Sequence, residues 1–181
     1  GLILGGLSVA VAQLAMAFGL PVGLAAALAL GMGTLTTGAM HEDGLADTCD
    51  GLWGGWEKAR RLEIMKDSHI GTYGVMGLLL VGLARWSAVA ALLQAGAWPV
   101  LLAVAVLSRA PMAALLAALP NARGAGLSQS VGQPSQDAAE LAVALALGLS
   151  LLLAGWGAGV AALAVAGSTL ALGWLARRKI G

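Results

Sequence analysis

Long apolar runs, interrupted by a single strongly charged stretch, constrain this chain more than any other feature. Residues 1–19 and 22–40 form two such runs, separated by a turn at Pro21 and Gly23. Apolar character resumes at 73–95, breaks between Gly96 and Pro99, and runs on through 100–119. Two last runs, 138–155 and 157–176, are divided by Gly155, Trp156 and Gly157. Each run approaches the roughly 20 residues a helix needs to cross the hydrocarbon core. Lipid offers the backbone no hydrogen-bond partners, so a spanning segment must be helical or part of a closed barrel. The runs are rich in Leu, Ala and Gly and lack the alternation of barrel strands. The expected fold is therefore all-α: a polytopic transmembrane bundle of about six spans, forming a single integral membrane domain over residues 1–181. Its acidic segment, 41–72, is expected to carry the chemistry.

Composition excludes the main alternative. Hydrophobic residues make up 59% of the chain and charged residues 10%. A soluble domain of this size could not hide so much apolar surface in one core. The lone cysteine, Cys49, implies no disulfide framework and is most simply a small packing residue. The chain starts at Gly1 inside an apolar run with no charged leader and stops just after Arg177, Arg178 and Lys179. The expectation is a piece of a longer protein without a signal peptide.

Basic residues orient the spans. Lys58, Arg60, Arg61 and Lys66 lie in the first polar segment, Arg123 in the second (Pro120 to Asp137), and three more at the end. All fall on one side of a six-span arrangement, whereas the turns near 20, 97 and 156 carry no Lys or Arg, so the polar loops are placed in the cytoplasm. Trp98 and Trp156 then mark the outer boundary, and Trp53, Trp56 and Trp174 the inner one, as in an ordinary aromatic belt. Gly71, Gly74 and Gly77 line the start of the third run, where small residues let helices approach closely.

The segment HEDGLADTCDGLWGGWEKARRLEIMKDSHIGTYG holds seven of the nine acidic residues and both histidines. Asp43, Asp47 and Asp50 are spaced by four and three, which places them on one helix face. Stacked carboxylates repel one another, and a divalent cation removes the conflict. Oxygen-only ligands favour Mg²⁺, Mn²⁺ or Ca²⁺. Glu42 adds a further candidate ligand at the edge of the face. The plain alternative is a solvated acidic helix end, but acids set directly against a membrane span tend to be functional. Arg61 and Lys66 are candidates to neutralise phosphate, with Ser68 beside them. Asp67 is a candidate further ligand or base, with His41 and His69 as alternatives. Ser108-Arg109 lies mid-run, and Arg109 is expected to contact a ligand phosphate or to pair with the acidic cluster. Arg85, also inside an apolar run, is expected to snorkel or to pair structurally. Asn121, Arg123 and Gly126-Leu127-Ser128 either close over a substrate or form a plain connecting loop.

These residues carry a resemblance. HEDGLADTCDGLWGG followed by RRLEIMKDSHIGTYG closely resembles the signature of the cobalamin synthase family (adenosylcobinamide-GDP ribazoletransferases), and SRAPM…LPNARGAGLS resembles a later part of its pattern. The match covers about residues 37–128. His69 stands where many members carry arginine, and Cys49 where alanine is common. The family's first hydrophobic segment and a C-terminal Gly-Thr-Gly-Asp-type stretch have no counterpart in the chain. The resemblance implies a multi-pass enzyme of the bacterial inner membrane, its active site facing the cytoplasm. It implies Mg²⁺ as cofactor, and adenosylcobinamide-GDP and α-ribazole, or its phosphate, as substrates. A ribose hydroxyl attacks the cobinamide-side phosphorus and GMP leaves. Asp43, Asp47 and Asp50 would then hold metal with Glu42, Asp67 would be a fourth carboxylate or base, and Arg61, Lys66 and Arg109 would neutralise phosphate oxygens. Membrane lipid surrounds the protein, no nucleic acid is involved, and an oligomer is left open.

Two other functions compete. A CDP-alcohol phosphotransferase of lipid synthesis would want an arginine shortly after the first acidic pair and wider aspartate spacing, and both are missing. A membrane cation transporter would carry its acids near the bilayer midplane, whereas these sit at the edge of a span.

Overall fold

The computed structural model describes residues 1–119 and 132–180. Among them there is no strand. The helices are α1 (Leu2–Ala17), α2 (Val22–Thr36), α3 (Met40–Gly54), α4 (Lys58–Ile64), α5 (Thr72–Gln94), α6 (Trp98–Leu107), α7 (Ala110–Ala118), α8 (Gln136–Ala154) and α9 (Gly157–Lys179). Runs of Leu and Ala explain this, since both form helices readily and leave no backbone group unpaired in lipid.

Glycine sets several of the ends. At Gly19 the backbone turns left-handed (φ 78°), and Leu20 N–H reaches back to Ala15 O at 3.1 Å. Gly96 closes α5 in the same way, with φ 66° and Ala97 N–H on Leu92 O at 2.9 Å. This is the Schellman ending, which satisfies carbonyls a helix would otherwise orphan. Both breaks fall where the sequence places turns.

By length and composition, four stretches can cross a membrane: Thr72–Gln94, Trp98–Ala118, Gln136–Ala154 and Gly157–Lys179. A fifth is α2 with α3, if this bent pair is one span, and α1 is a shorter apolar helix. The expectation of about six full spans is thus met only in part. Two runs are broken internally. The run 22–40 ends as a helix at Thr36, and α3 departs at 87° to α2. Gly38 (φ 61°) and Ala39 (φ 57°) are both left-handed at the bend, the second at a cost because its Cβ crowds the carbonyl. Thr36 and Thr37 hydroxyls bond back to Met32 O and Gly33 O in the preceding turn, a back-bonding that often accompanies bent helices. The run 100–119 is interrupted at Ser108 and Arg109, between α6 and α7.

The chain divides into two compact units, Gly6–Ala97 and Gly1–Gly5 with Trp98–Lys179. In the second unit, α6, α7 and α9 pack on α8. Val106, Ala110 and Ala146 form its buried centre, with Val143 and Leu149 against them. Ser150, fully buried, donates to Ala103 O at 3.1 Å, so no hydroxyl is left bare there. In the first unit, α5 packs against α2 and α3, and α4 folds back on α3. Trp86 donates its indole N–H to Gly23 O at 2.8 Å, which ties α5 to the start of α2. Large apolar side chains such as Leu79, Leu80 and Leu83 stay exposed on α5, a surface suited to lipid and costly in water.

Candidate active site

The acidic segment is helical, as its spacing predicts, and α3 runs antiparallel to α5. Three contacts set the register. Asp50 meets the N-terminus of α5, Cys49 meets Gly77, and Glu42 meets Arg85.

The Asp50 contact is the most thoroughly built. Its carboxylate accepts N–H bonds from Gly71 at 2.7 Å and Gly74 at 2.9 Å, on different oxygens. No side chain of α5 itself caps that end; Asp50 does so from α3. The carboxylate also faces the positive end of the helix dipole. The two glycines are required for proximity. A Cβ on Gly71 would stand 2.5 Å from Asp50 Oδ1, and one on Gly74 would collide with Oδ2. A Cβ on Gly77 would come within 2.6 Å of Cys49 Sγ. The glycines therefore serve close helix approach, as the sequence suggests, but what approaches is a carboxylate as well as a helix.

At the other end of α3, Glu42 Oε1 accepts from Arg85 Nη1 at 3.0 Å and from Thr34 Oγ1 at 3.2 Å. Arg85 thus pairs structurally instead of reaching out alone. Glu42 Oε2 is buried without a partner among the described residues. Between these ends, Asp43 is exposed and Asp47 half-buried. The three aspartates share a helix face but not an environment: Asp50 is 8% exposed and bonded to backbone.

Beyond α3, the Arg61 side chain lies over Gly55, and its Nε donates to Gly55 O at 2.9 Å. Lys66 and Asp67 line a shallow hollow with Arg60, Glu63 and Ile64. Arg60 bonds Glu63 at 2.7 Å, a solvent-exposed pair worth little to stability. Ser68 is exposed next to them. Asp67 Oδ1 sits 2.6 Å from His69 Nδ1 and also accepts the His69 N–H at 3.2 Å. Arg109 belongs to the other unit, where its Nη1 donates to Ala105 O at 2.8 Å at the α6–α7 break. Asn121, Arg123, Gly126, Leu127 and Ser128 lie outside the described residues.

The bond to Asp67 raises the His69 pKa above its ordinary 6.5, and the bond to His69 lowers Asp67 below its ordinary 3.8. The His69 contribution is fully present below pH 6.5 and is lost as pH rises through its raised value. The Asp67 contribution is present above 3.8 and is lost as pH falls through its lowered value. In an NMR titration the His69 ring should thus protonate at a midpoint above 6.5, and Asp67→Asn should bring it back down. An unmoved midpoint in the variant would contradict the pairing.

Among the described residues, no three His, Cys, Asp or Glu side chains come together as a closed metal cage. What stands on α3 is a pair, Asp43 and Asp47, one turn apart. Mg²⁺ is commonly held by one or two carboxylates, its remaining positions being filled by water and substrate phosphates. The donor set fits a cation of that kind, completed by a phosphorylated substrate.

Sequence reading missed two partners: Thr34, and the glycine backbone as the seat of Asp50. A hydroxyl inside an apolar run was the one available signal for Thr34. Nothing local points from Asp50 to groups 21 and 24 residues onward.

Apolar helices of spanning length, with a carboxylate-bearing helix docked along one of them, define a polytopic α-helical membrane protein. A family model described as cobalamin-5-phosphate synthase matches residues 1–181. The chain belongs to that family. Among its relatives, the adenosylcobinamide-GDP ribazoletransferase of Bradyrhizobium diazoefficiens is 45% identical, covering 100% of this chain and 70% of the relative. That of Mesorhizobium japonicum is 42% identical over 92% of this chain and 64% of its own length. That of Chlorobaculum parvum is 39% identical over 100% of this chain and 73% of its own. The chain thus spans about two thirds of the length of these relatives, all named as transferases. No solved structure matches it.

Proposed function

We propose that the chain carries the acidic site of an enzyme that joins adenosylcobinamide-GDP to α-ribazole or its phosphate, the last assembly step of cobalamin. Family membership and the relatives' names support the reaction. In it, a ribose hydroxyl oxygen forms a bond to the cobinamide-side phosphorus. The bond from that phosphorus to the bridging oxygen breaks, GMP leaves with the electron pair, and the hydroxyl proton is released.

The observation that carries the site assignment is the exposed and half-buried pair Asp43 and Asp47, held on a helix whose two ends are pinned to α5. Such transfers are mostly positioning and charge neutralisation. Asp43 and Asp47 would hold Mg²⁺, which when bound would neutralise the pyrophosphate and activate the hydroxyl. Lys66 stands exposed for phosphate oxygens, and Arg61 is held by Gly55 at the turn between α3 and α4. With its proton affinity lowered, Asp67 is better suited to holding the His69 ring than to taking a proton. His69, its pKa raised by the same bond, stays held against Asp67 on this side. Ser68 lies between them in sequence as a hydroxyl donor for the substrate. The polar face is assigned to the cytoplasm and the spans to a bacterial inner membrane.

The direct test uses full-length protein in membranes with adenosylcobinamide-GDP, α-ribazole and Mg²⁺. GMP release that stops on chelation and returns with Mg²⁺ is the expected result. Absence of GMP release, with lipid-linked product from CDP-diacylglycerol instead, would assign the site to lipid synthesis.

A further inference from the structure

We infer that Asp50 is a positioning residue: its carboxylate docks the N-terminus of α5 onto α3 and so fixes where Asp43 and Asp47 stand, without itself ligating metal. This rests on the reading of Asp43 and Asp47 as the cation-facing pair.

Spacing alone makes the three aspartates equivalent, and their surroundings do not. Both Asp50 oxygens are engaged by backbone N–H groups, and the residue is buried. The seat is shaped for a carboxylate, because a side chain at Gly71 or Gly74 would occupy its space. The electrostatics also favour an anion and oppose a cation. The N–H groups of Gly71 and Gly74 and the positive end of the helix dipole converge on that point, and a divalent ion there would face them at close range. Asp43, two turns away at the other end of the acidic face, meets none of these donors and is exposed.

Cys49 offers a readout that needs no turnover. It follows the same contact, with Sγ against Gly77 one residue before Asp50 in sequence. It is the chain's one cysteine. Local opening of the α3–α5 contact would expose it to an alkylating reagent.

The experiment uses the full-length protein in membranes, with any cysteine outside this chain changed to serine. N-ethylmaleimide alkylation of Cys49 and the Mg²⁺ half-saturation of GMP release are measured in parallel. Asp50→Asn keeps one acceptor oxygen but turns an NH₂ toward the other N–H. Gly74→Ala keeps every carboxylate and crowds the seat. Each should speed alkylation roughly tenfold or more, as expected for losing one charge-assisted bond. Each should lower turnover, because α3 is loosened from α5, while leaving Mg²⁺ half-saturation within about twofold of wild type, because Asp43 and Asp47 keep their one-turn spacing on α3. A tenfold rise in Mg²⁺ half-saturation for Asp50→Asn, with alkylation unchanged, would make Asp50 a ligand and overturn the inference. If Asp50→Asn does not fold, Gly74→Ala decides: unchanged alkylation there also overturns it. Should Asp43→Asn and Asp47→Asn leave Mg²⁺ dependence untouched, the metal reading falls, and the alkylation rates still judge the docking role by themselves.

Discussion

Replacing Asp43 or Asp47 with asparagine is expected to reduce GMP release by roughly a thousandfold or more, about 4 kcal/mol of transition-state stabilisation. Asparagine preserves size and helical propensity closely enough that α3 should still form. It removes one unit of negative charge from a pair of which Asp43 is exposed and Asp47 half-buried. A cation bound by two carboxylates and substrate phosphates loses much of its attraction when one carboxylate becomes an amide. The defect should appear as a raised Mg²⁺ requirement as well as a slower rate, so titrating Mg²⁺ into each variant separates a ligand from a merely structural residue. Thermal unfolding of Asp43→Asn should be close to wild type, because Asp43 is exposed on α3. Turnover within a few-fold of wild type in both variants would remove these residues from the site.

The second large effect is expected at Arg85. Arg85→Leu suits an apolar helix by composition, yet it should destabilise the protein by roughly 2–3 kcal/mol, because it leaves a mostly buried carboxylate uncompensated. Glu42 has lost most of its water (24% side-chain exposure), and its remaining neutral partner is Thr34. The half-exposed guanidinium (50%) sets the estimate below that for a fully buried pair. Adding Glu42→Gln to Arg85→Leu should restore most of the loss, since the amide carries no charge to strand. A double-mutant cycle on thermal unfolding in detergent measures this coupling. If the double variant is no more stable than Arg85→Leu, the pair does not hold α3 in place. The cycle also bears on Glu42 as a candidate metal ligand: a carboxylate spent on Arg85 and Thr34 contributes to the site mainly through the position of its helix.

These two results address different parts of one arrangement. α3 carries the proposed cation-facing carboxylates Asp43 and Asp47 between two fastened points, Glu42 and Asp50. The bend before it, at Gly38 and Ala39, turns the chain out of the line of α2. The acidic segment that follows the apolar run is thus laid along α5, where Asp50 and Glu42 find their donors.

Much of this was legible in the residues alone. All-helical character, membrane residence, the turns at Gly19 and Gly96, and a helical acidic segment follow from local rules. Apolar length, glycine conformation and 3.6-residue periodicity act within a few neighbours. The motif from His41 to Gly74 was specific enough to indicate the family that the whole chain matches. The break at Ser108 and Arg109 and the bend at Gly38 and Ala39 were not legible. Hydropathy is indifferent to a few residues of changed direction, so each run read as one continuous helix.

The division of labour among the acids was decided only in three dimensions. Sequence determined which carboxylates exist, and that Asp43, Asp47 and Asp50 share a helix face. Packing against α5 determined that Asp50 caps a helix, that Glu42 meets Arg85, and that Asp43 stays accessible. The physical reason is that a carboxylate's role depends on the donors around it, and the donors that α5 supplies come from residues 21 to 43 positions away.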